Sequence, residues 1–418
     1  MSVAPAMTPR NRPVFAAGIR PQRRSHMNRR SMMPAKATAP TATPAVPYDK
    51  IAALVLQGGG ALGSYQAGVY EALAGSHYMP DWVAGISIGA INAAIIAGNE
   101  PENRVVRLRD FWDLVTAPSS HWPRLPGVFF DEMYRHAGAL SALAFGQPGF
   151  FERWDSVAWF FGGFPASYYD TSPLRLTLER FVDFDRINAR KTRFSVGAVN
   201  VRTGNLTYFD NHEIEIRPEH VMASCALPPG FPAVEVDGEL FWDGGLVSNT
   251  PLQYVLSYYP RRSRLTFQVD IFPARGPLPR TIDEVLERAK EIQYSSRTRM
   301  GTDQFRAMHD IRHNLNLLLE KVPETLKARP EARFLSDIAC VTTMDVAQVI
   351  YRPDNLQGAS KDFEFSRATM ESRWAQGLAD AGEVLRAAPW LDAAPPEVGV
   401  RVFDVIRDLR AASPRRLD

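Results

Sequence analysis

An apolar run from Ile51 to Gln57 stops abruptly at Gly58, Gly59 and Gly60. Short, continuous and closed by glycine, it predicts a buried strand. From Ser64 to Ala74 the pattern changes: Tyr65, Val69 and Leu73 recur every four residues, which predicts a helix with one apolar face. A second strand is expected over Trp82 to Ile86, running through Ser87 into a helix from Ile88 to about Ala97. Strand, turn and helix, repeated, imply parallel pairing in an α/β layer architecture.

Farther along, Ser172-Pro173 reads as a cap with proline at the first helical position, opening a helix through Leu174 to Val182. Arg193 to Val201 and Leu206 to Asp210 predict two strands joined by a turn at Thr203-Gly204-Asn205, and Leu265 to Phe272 a further strand. Thr281 and Glu284 have capping-box spacing, and Phe305, Met308, Ile311, Leu315 and Leu318 keep a helical period toward Val322. A strand or two is expected within 337–351 and a helix over Asp362 to Ala387. Residues 122–170 differ in kind, because fourteen of these 49 positions are Phe, Trp or Tyr. They read either as an insertion with its own aromatic core or as a lid or acyl-chain pocket touching a lipid surface.

The fold class expected is therefore three-layer α/β with a mostly parallel central sheet, plus a helix-rich C-terminal region. The boundaries follow from composition: a basic extension over 1–48, a catalytic part over 49–272 with a lid-like insertion at about 118–170, and a C-terminal region over 273–418. Residues 1–48 hold seven arginines, one lysine and no acid, so the net charge of +2 leaves −6 on the body. The body is no nucleic-acid-binding surface. The extension lacks apolar periodicity and is expected to be disordered. An organelle-type targeting peptide, or a start at Met27, Met32 or Met33, are the other readings. Cys225 and Cys340 have no metal-ligand spacing, which suggests a reducing compartment. Val83 to Gly98 is too short to span a bilayer, so the expected location is cytoplasmic or peripheral to a membrane.

A serine hydroxyl is a poor nucleophile unless a base removes its proton and donors stabilise the developing oxyanion. Gly85 and Gly89 flank Ser87 between a predicted strand and helix, so the chain can turn sharply and present the hydroxyl at the sheet's edge. The helix N-terminus then lies behind it. Gly58, Gly59 and Gly60 offer backbone amides able to converge on an anion. Asp243, followed by Gly244 and Gly245, adds a carboxylate in a turn, although Asp-Gly-Gly alone is commonly no more than a turn. The first glycine segment also fits G-x-G-x-x-G through Gly63. That dinucleotide reading wants an acid at the end of the second strand, and Asp81 precedes its strand. A P-loop needs lysine where Ser64 stands.

Taken in order, these glycines, the serine elbow and the aspartate turn resemble the patatin-like phospholipase family of serine acyl hydrolases, in a bacterial-type subgroup with a C-terminal extension. The resemblance runs from about Ile51 to Leu252, with Asn249 and Pro251 at the family's spacing after Asp243. It implies Ser87 as nucleophile, Asp243 as the base of a dyad that needs no histidine, and Gly58, Gly59 and Gly60 as the oxyanion hole. Gly63, Gly85, Gly89, Gly244, Gly245 and Asn249 would shape the turns. A lipid or other acyl ester is the implied substrate, with no cofactor or metal. Leu62 departs from the pattern, standing where the family usually has Arg or Lys.

Two rivals remain at this level. An α/β-hydrolase would use Ser, Asp and His in that order, and only His309 and His313 follow Asp243. They stand four apart on a predicted helix, where solvated surface positions are expected, and the position that H-E-x-x-H fills with Glu holds Asp310 instead. His212 and His220 are expected to be surface or structural. The other rival is a catalytically silent scaffold whose C-terminal helices bind a membrane or a partner, against which the intact serine, aspartate and glycines argue.

Overall fold

The computed structural model describes residues 50–116, 146–154, 166–353 and 357–412, without the side chains of 296–299 and 412. The basic extension and most of the aromatic insertion lie outside the described residues. Strand β1 (Ile51–Leu56) leads through the glycine turn into helix α1 (Gly63–Ala74), and β2 (Trp82–Gly85) into α2 (Ile88–Ala97) and then α3 (Arg104–Val115). Two short strands, β3 (Glu152–Arg153) and β4 (Tyr169–Asp170), pair antiparallel with each other. Helix α4 (Ser172–Phe181) precedes β5 (Arg193–Asn200) and β6 (Leu206–Asp210). Helix α5 (Pro218–Cys225) precedes β7 (Val234–Val236) and β8 (Glu239–Asp243), and α6 (Leu252–Ser257) precedes β9 (Arg264–Asp270). The long helix α7 (Ile282–Glu320), β10 (Met344–Ile350), α8 (Arg367–Ala387) and β11 (Val400–Phe403) follow.

The main sheet runs in the order β11, β10, β9, β1, β2, β5, β8, β7, with β6 also paired to β5. From β11 to β5 every pairing is parallel, and β6, β7 and β8 add an antiparallel end. Side chains alternate across a strand, so β1 feeds two cores. Leu54 and Leu56 pack with α1, α2, α3 and α8, whereas Ala53 and Val55 pack with α6 and with Phe305 of α7. Both faces of the sheet are thus covered, giving three layers. Strands β10 and β11 carry the sheet past residue 272, so the helix-rich C-terminal region shares its core. Among the described residues no helix is long and apolar enough to cross a membrane.

Register explains where chemistry can gather. Gly85 of β2 stands beside Val196 of β5, and Ala198, two residues farther along β5, stands beside Asp243 of β8. Two residues beyond Gly85 is Ser87, so pairing alone brings Ser87 and Asp243 to one level. Leu56 lies beside both Gly85 and Val269, which puts the glycine turn after β1 at the same carboxyl edge. That edge is where ligands bind in open parallel sheets.

Candidate active site

Ser87 occupies the tight junction between β2 and α2 with φ 55 and ψ −127, a conformation that a residue with a side chain adopts only under constraint. The constraint is visible in its two glycines. A Cβ on Gly85 would lie 2.2 Å from the carbonyl oxygen of Gly89, and one on Gly89 would lie 2.4 Å from that of Leu56. Strand and helix therefore meet more closely than any other residue allows. The Ser87 amide donates to the Ser224 hydroxyl (3.1 Å), which itself donates to the Gly197 carbonyl (2.7 Å), and the Cys225 thiol donates to the Ser87 carbonyl (3.2 Å). With its backbone fixed on both sides, the hydroxyl is aimed into the cavity from the N-terminus of α2, whose dipole favours developing negative charge.

Asp243 ends β8 and is fully buried. Burial raises its pKa to about 7, while hydrogen bonds from the Gly245 amide (2.7 Å) and the Ser87 side chain pull the other way. A base that titrates near neutrality and faces the same cavity as the serine has the properties proton abstraction requires. Cys225, next to it, has its thiol pushed up by burial and by the Asp243 charge, so it stays protonated.

The glycine turn is fastened to the same place by Asn249, whose side-chain amide donates to the Gly58 carbonyl (2.9 Å). The Gly58 amide in turn donates to the Asn249 carbonyl (3.0 Å). In this structure the Gly58 amide is thus engaged with a protein carbonyl. Gly59 and Gly60, by contrast, line the cavity and donate to no acceptor among the described backbone hydrogen bonds. Gly60 has φ +54, and a Cβ there would meet the Asp362 carbonyl oxygen at 2.3 Å. Gln57, buried beneath the turn, accepts from the amides of Ile271 (2.7 Å) and Phe272 (2.8 Å), tying β1 to the end of β9.

Together these groups border a cavity of about 60 Å³ whose remaining wall is aromatic, with Phe150, Phe151 and Phe231 on one side. Phe150 and Phe151 belong to the described part of the aromatic insertion and pack against Phe231 at 5.9 and 5.1 Å between ring centroids. Tyr294, Asp362, Phe363 and Phe365 also line it, and all four come from beyond residue 272. Sequence reasoning missed them, since nothing in their own segments marks them.

The other predicted residues fall elsewhere. Gly63 is a packing position, with Ile88 only 2.5 Å from where a Cβ would stand, and Gly244 lies similarly against the Gly197 carbonyl. Leu62 is fully buried in the core. Asp81 is exposed and apart from the cavity, and the Ser64 hydroxyl donates to the Ala61 carbonyl (3.2 Å), so neither phosphate-binding reading gains a residue. His309 and His313 are buried, not solvated: their Nε2 atoms converge on the Thr342 carbonyl at 2.8 and 2.5 Å, and neither borders the cavity. His212 is exposed, whereas His220 is buried and closes the N-terminus of α5 with Arg217.

Residues 54–256 match the model of the patatin-like phospholipase family, and residues 292–397 match a second model described as patatin phospholipase. The chain belongs to the patatin-like family and carries a C-terminal extension. Among solved structures it is similar to VipD from Legionella pneumophila, with a TM-score of 0.33 and 13% identity over 81% of this chain and 67% of that one. It is also similar to the ExoU-SpcU complex of the type III secretion system of Pseudomonas aeruginosa, with a TM-score of 0.26 and 16% identity over 69% of this chain and 66% of that one. No curated protein matches the sequence.

Proposed function

We propose that the protein is a serine acyl-ester hydrolase that works with the pair Ser87 and Asp243. The observation that carries this reading is a strained serine lining the same apolar cavity as a fully buried aspartate of pKa about 7, with glycine amides beside them. Asp243 takes the proton from the Ser87 Oγ as that oxygen bonds to the ester's carbonyl carbon. The amides of Gly59 and Gly60 hold the negative carbonyl oxygen. As the tetrahedral adduct collapses, the bond to the alkoxy oxygen breaks and that oxygen leaves with the proton from Asp243. Water then attacks the acyl-serine, Asp243 receives the water's proton, and the acid departs as the proton returns to Ser87. No histidine takes part.

Along the chain, residues 49–272 would carry the pair and the donors, and residues 273–418 would close the cavity. The family membership supports a lipid acyl hydrolase in general, and the aromatic wall suits an apolar acyl group. Turnover of a chromogenic acyl ester tests the assignment. Ser87→Ala and Asp243→Ala should each lower kcat by a factor of roughly 10³ or more, whereas replacing His309 and His313 together by Gln should leave it within a few-fold. A triad mechanism would reverse that last result.

A further inference from the structure

Three successive glycines carry no side chains to hold their peptides, so the amides of Gly59 and Gly60 can be aimed only from outside the turn. The peptide planes show how. The Gly58–Gly59 bond is trans, and a trans peptide points its carbonyl and its N–H in opposite directions. The Asn249 side chain, by donating to the Gly58 carbonyl (2.9 Å), therefore turns the Gly59 N–H away from itself. In the same way the Leu62 amide, donating to the Gly59 carbonyl (3.2 Å), sets the direction of the Gly60 N–H. Asn249 is thus the lever on one donor, and what holds Asn249 matters.

The residue that follows it is locked from two sides. The Thr250 hydroxyl accepts from the side-chain amide of Gln57 (3.0 Å) and donates to the Asp270 carboxylate (3.3 Å) at the end of β9. Asp270 also accepts from Gln268 (2.5 Å), and the Gln57 carbonyl accepts from Gln66 of α1 (2.6 Å). All five side chains are buried, and none enters the proposed chemistry. One hydroxyl therefore couples the residue before the glycine turn, the residue after Asn249 and the end of β9. We propose that Thr250, held between Gln57 and Asp270, is a positioning residue for the hydrolysis: it fixes the turn that carries Asn249 and, through Asn249, the aim of the Gly59 amide at the oxyanion. The proposal rests on the serine-hydrolase reading and adds to it the buried residues that set its donors.

The test follows a p-nitrophenyl ester through the full chain, Thr250→Val, Thr250→Ser, Asn249→Ala, the Asn249→Ala/Thr250→Val double variant and Ser87→Ala. Thr250→Val keeps the shape and removes the hydroxyl; it should lower kcat by about tenfold or more and leave KM within about threefold, because an oxyanion donor acts chiefly in the transition state. Binding of an alkyl trifluoromethyl ketone, whose adduct on the serine carries the same oxyanion, should weaken in step with kcat. Thr250→Ser, which keeps the hydroxyl, should restore both. Once Asn249→Ala has released the Gly58 carbonyl, adding Thr250→Val should cost less than about a further twofold. Lost packing alone lowers the melting temperature without producing this pattern. Thr250→Ala, which also lacks the hydroxyl, decides the matter where Thr250→Val does not fold. An unchanged kcat in a folded variant without the hydroxyl overturns the proposal, as do failure of Thr250→Ser to restore it and fully additive losses in the double variant. Hydrolysis that persists in Ser87→Ala is the separate outcome that removes the serine reading itself.

Discussion

Asp243 is held where its charged form is disfavoured, and function and stability pull on it in opposite directions. In the unfolded chain its carboxyl titrates near 4, whereas burial in the fold raises it to about 7. Between those values the folded form keeps a proton that the unfolded form has released, so stability from this group is present below about pH 4 and is lost as pH rises through about 7. Catalysis needs the opposite state, the free carboxylate. The kcat/KM of ester hydrolysis should therefore climb with pH through about 7 and level off above it, and a profile flat from pH 5 to 9 would contradict the role. Asp243→Asn should abolish activity and raise the melting temperature at pH 8 by a few degrees, a gain that shrinks as pH falls toward 4. Ser87, Asp243 and the glycines are legible in the sequence because their work demands turn chemistry that few residue types satisfy. Which glycine amide is free is not legible, since the partner that occupies Gly58 is Asn249, brought in from a distant turn.

At the scale of elements, hydrophobic period fixes β1, α1, β2, α2 and the long α7 to within a residue or two at most ends. It passes over α3, although Leu108, Phe111, Trp112 and Val115 recur at helical spacing and are buried. Period misplaces the apolar face of α7: Met308, Ile311 and Leu318, which it aligns with Phe305, are exposed, whereas His309 and His313 belong on the buried side. Their burial depends on the Thr342 carbonyl, an acceptor outside the helix. The packing of α1 on α8 is equally hidden, because it runs through two glycines with no motif around them. A Cβ on Gly68 would lie 2.0 Å from the Trp374 carbonyl oxygen, and one on Gly377 would lie 2.1 Å from that of Tyr65. Gly68→Ala or Gly377→Ala should cost about 1–3 kcal/mol by forcing the helices apart. The double variant should cost less than the sum, since one separation relieves both clashes. Chemical denaturation of the three variants measures this, and strict additivity would mean that the two contacts are independent.

On the scale of the whole molecule, the sequence suggests a seam near residue 272, and the sheet runs straight across it. Every residue of β9 is buried between β1 and β10, so a chain stopped at 272 would expose that strand as an apolar edge and lose part of the cavity wall. Such a truncation should be insoluble or unfolded by circular dichroism; a soluble, active fragment would show that the C-terminal region is dispensable. Long-range pairing of this kind leaves no local trace, which is why the parallel order of β9, β10 and β11 could not be read from patterning. In the proposed chemistry one hydroxyl, that of Ser87, activated by Asp243 alone, is the nucleophile. Mapping by mass spectrometry the site at which a fluorophosphonate modifies the full-length protein tests it most directly. The prediction is stoichiometric modification confined to Ser87 and largely lost in Asp243→Ala; modification of a different residue that abolishes ester hydrolysis, or undiminished labelling in Asp243→Ala, would contradict it.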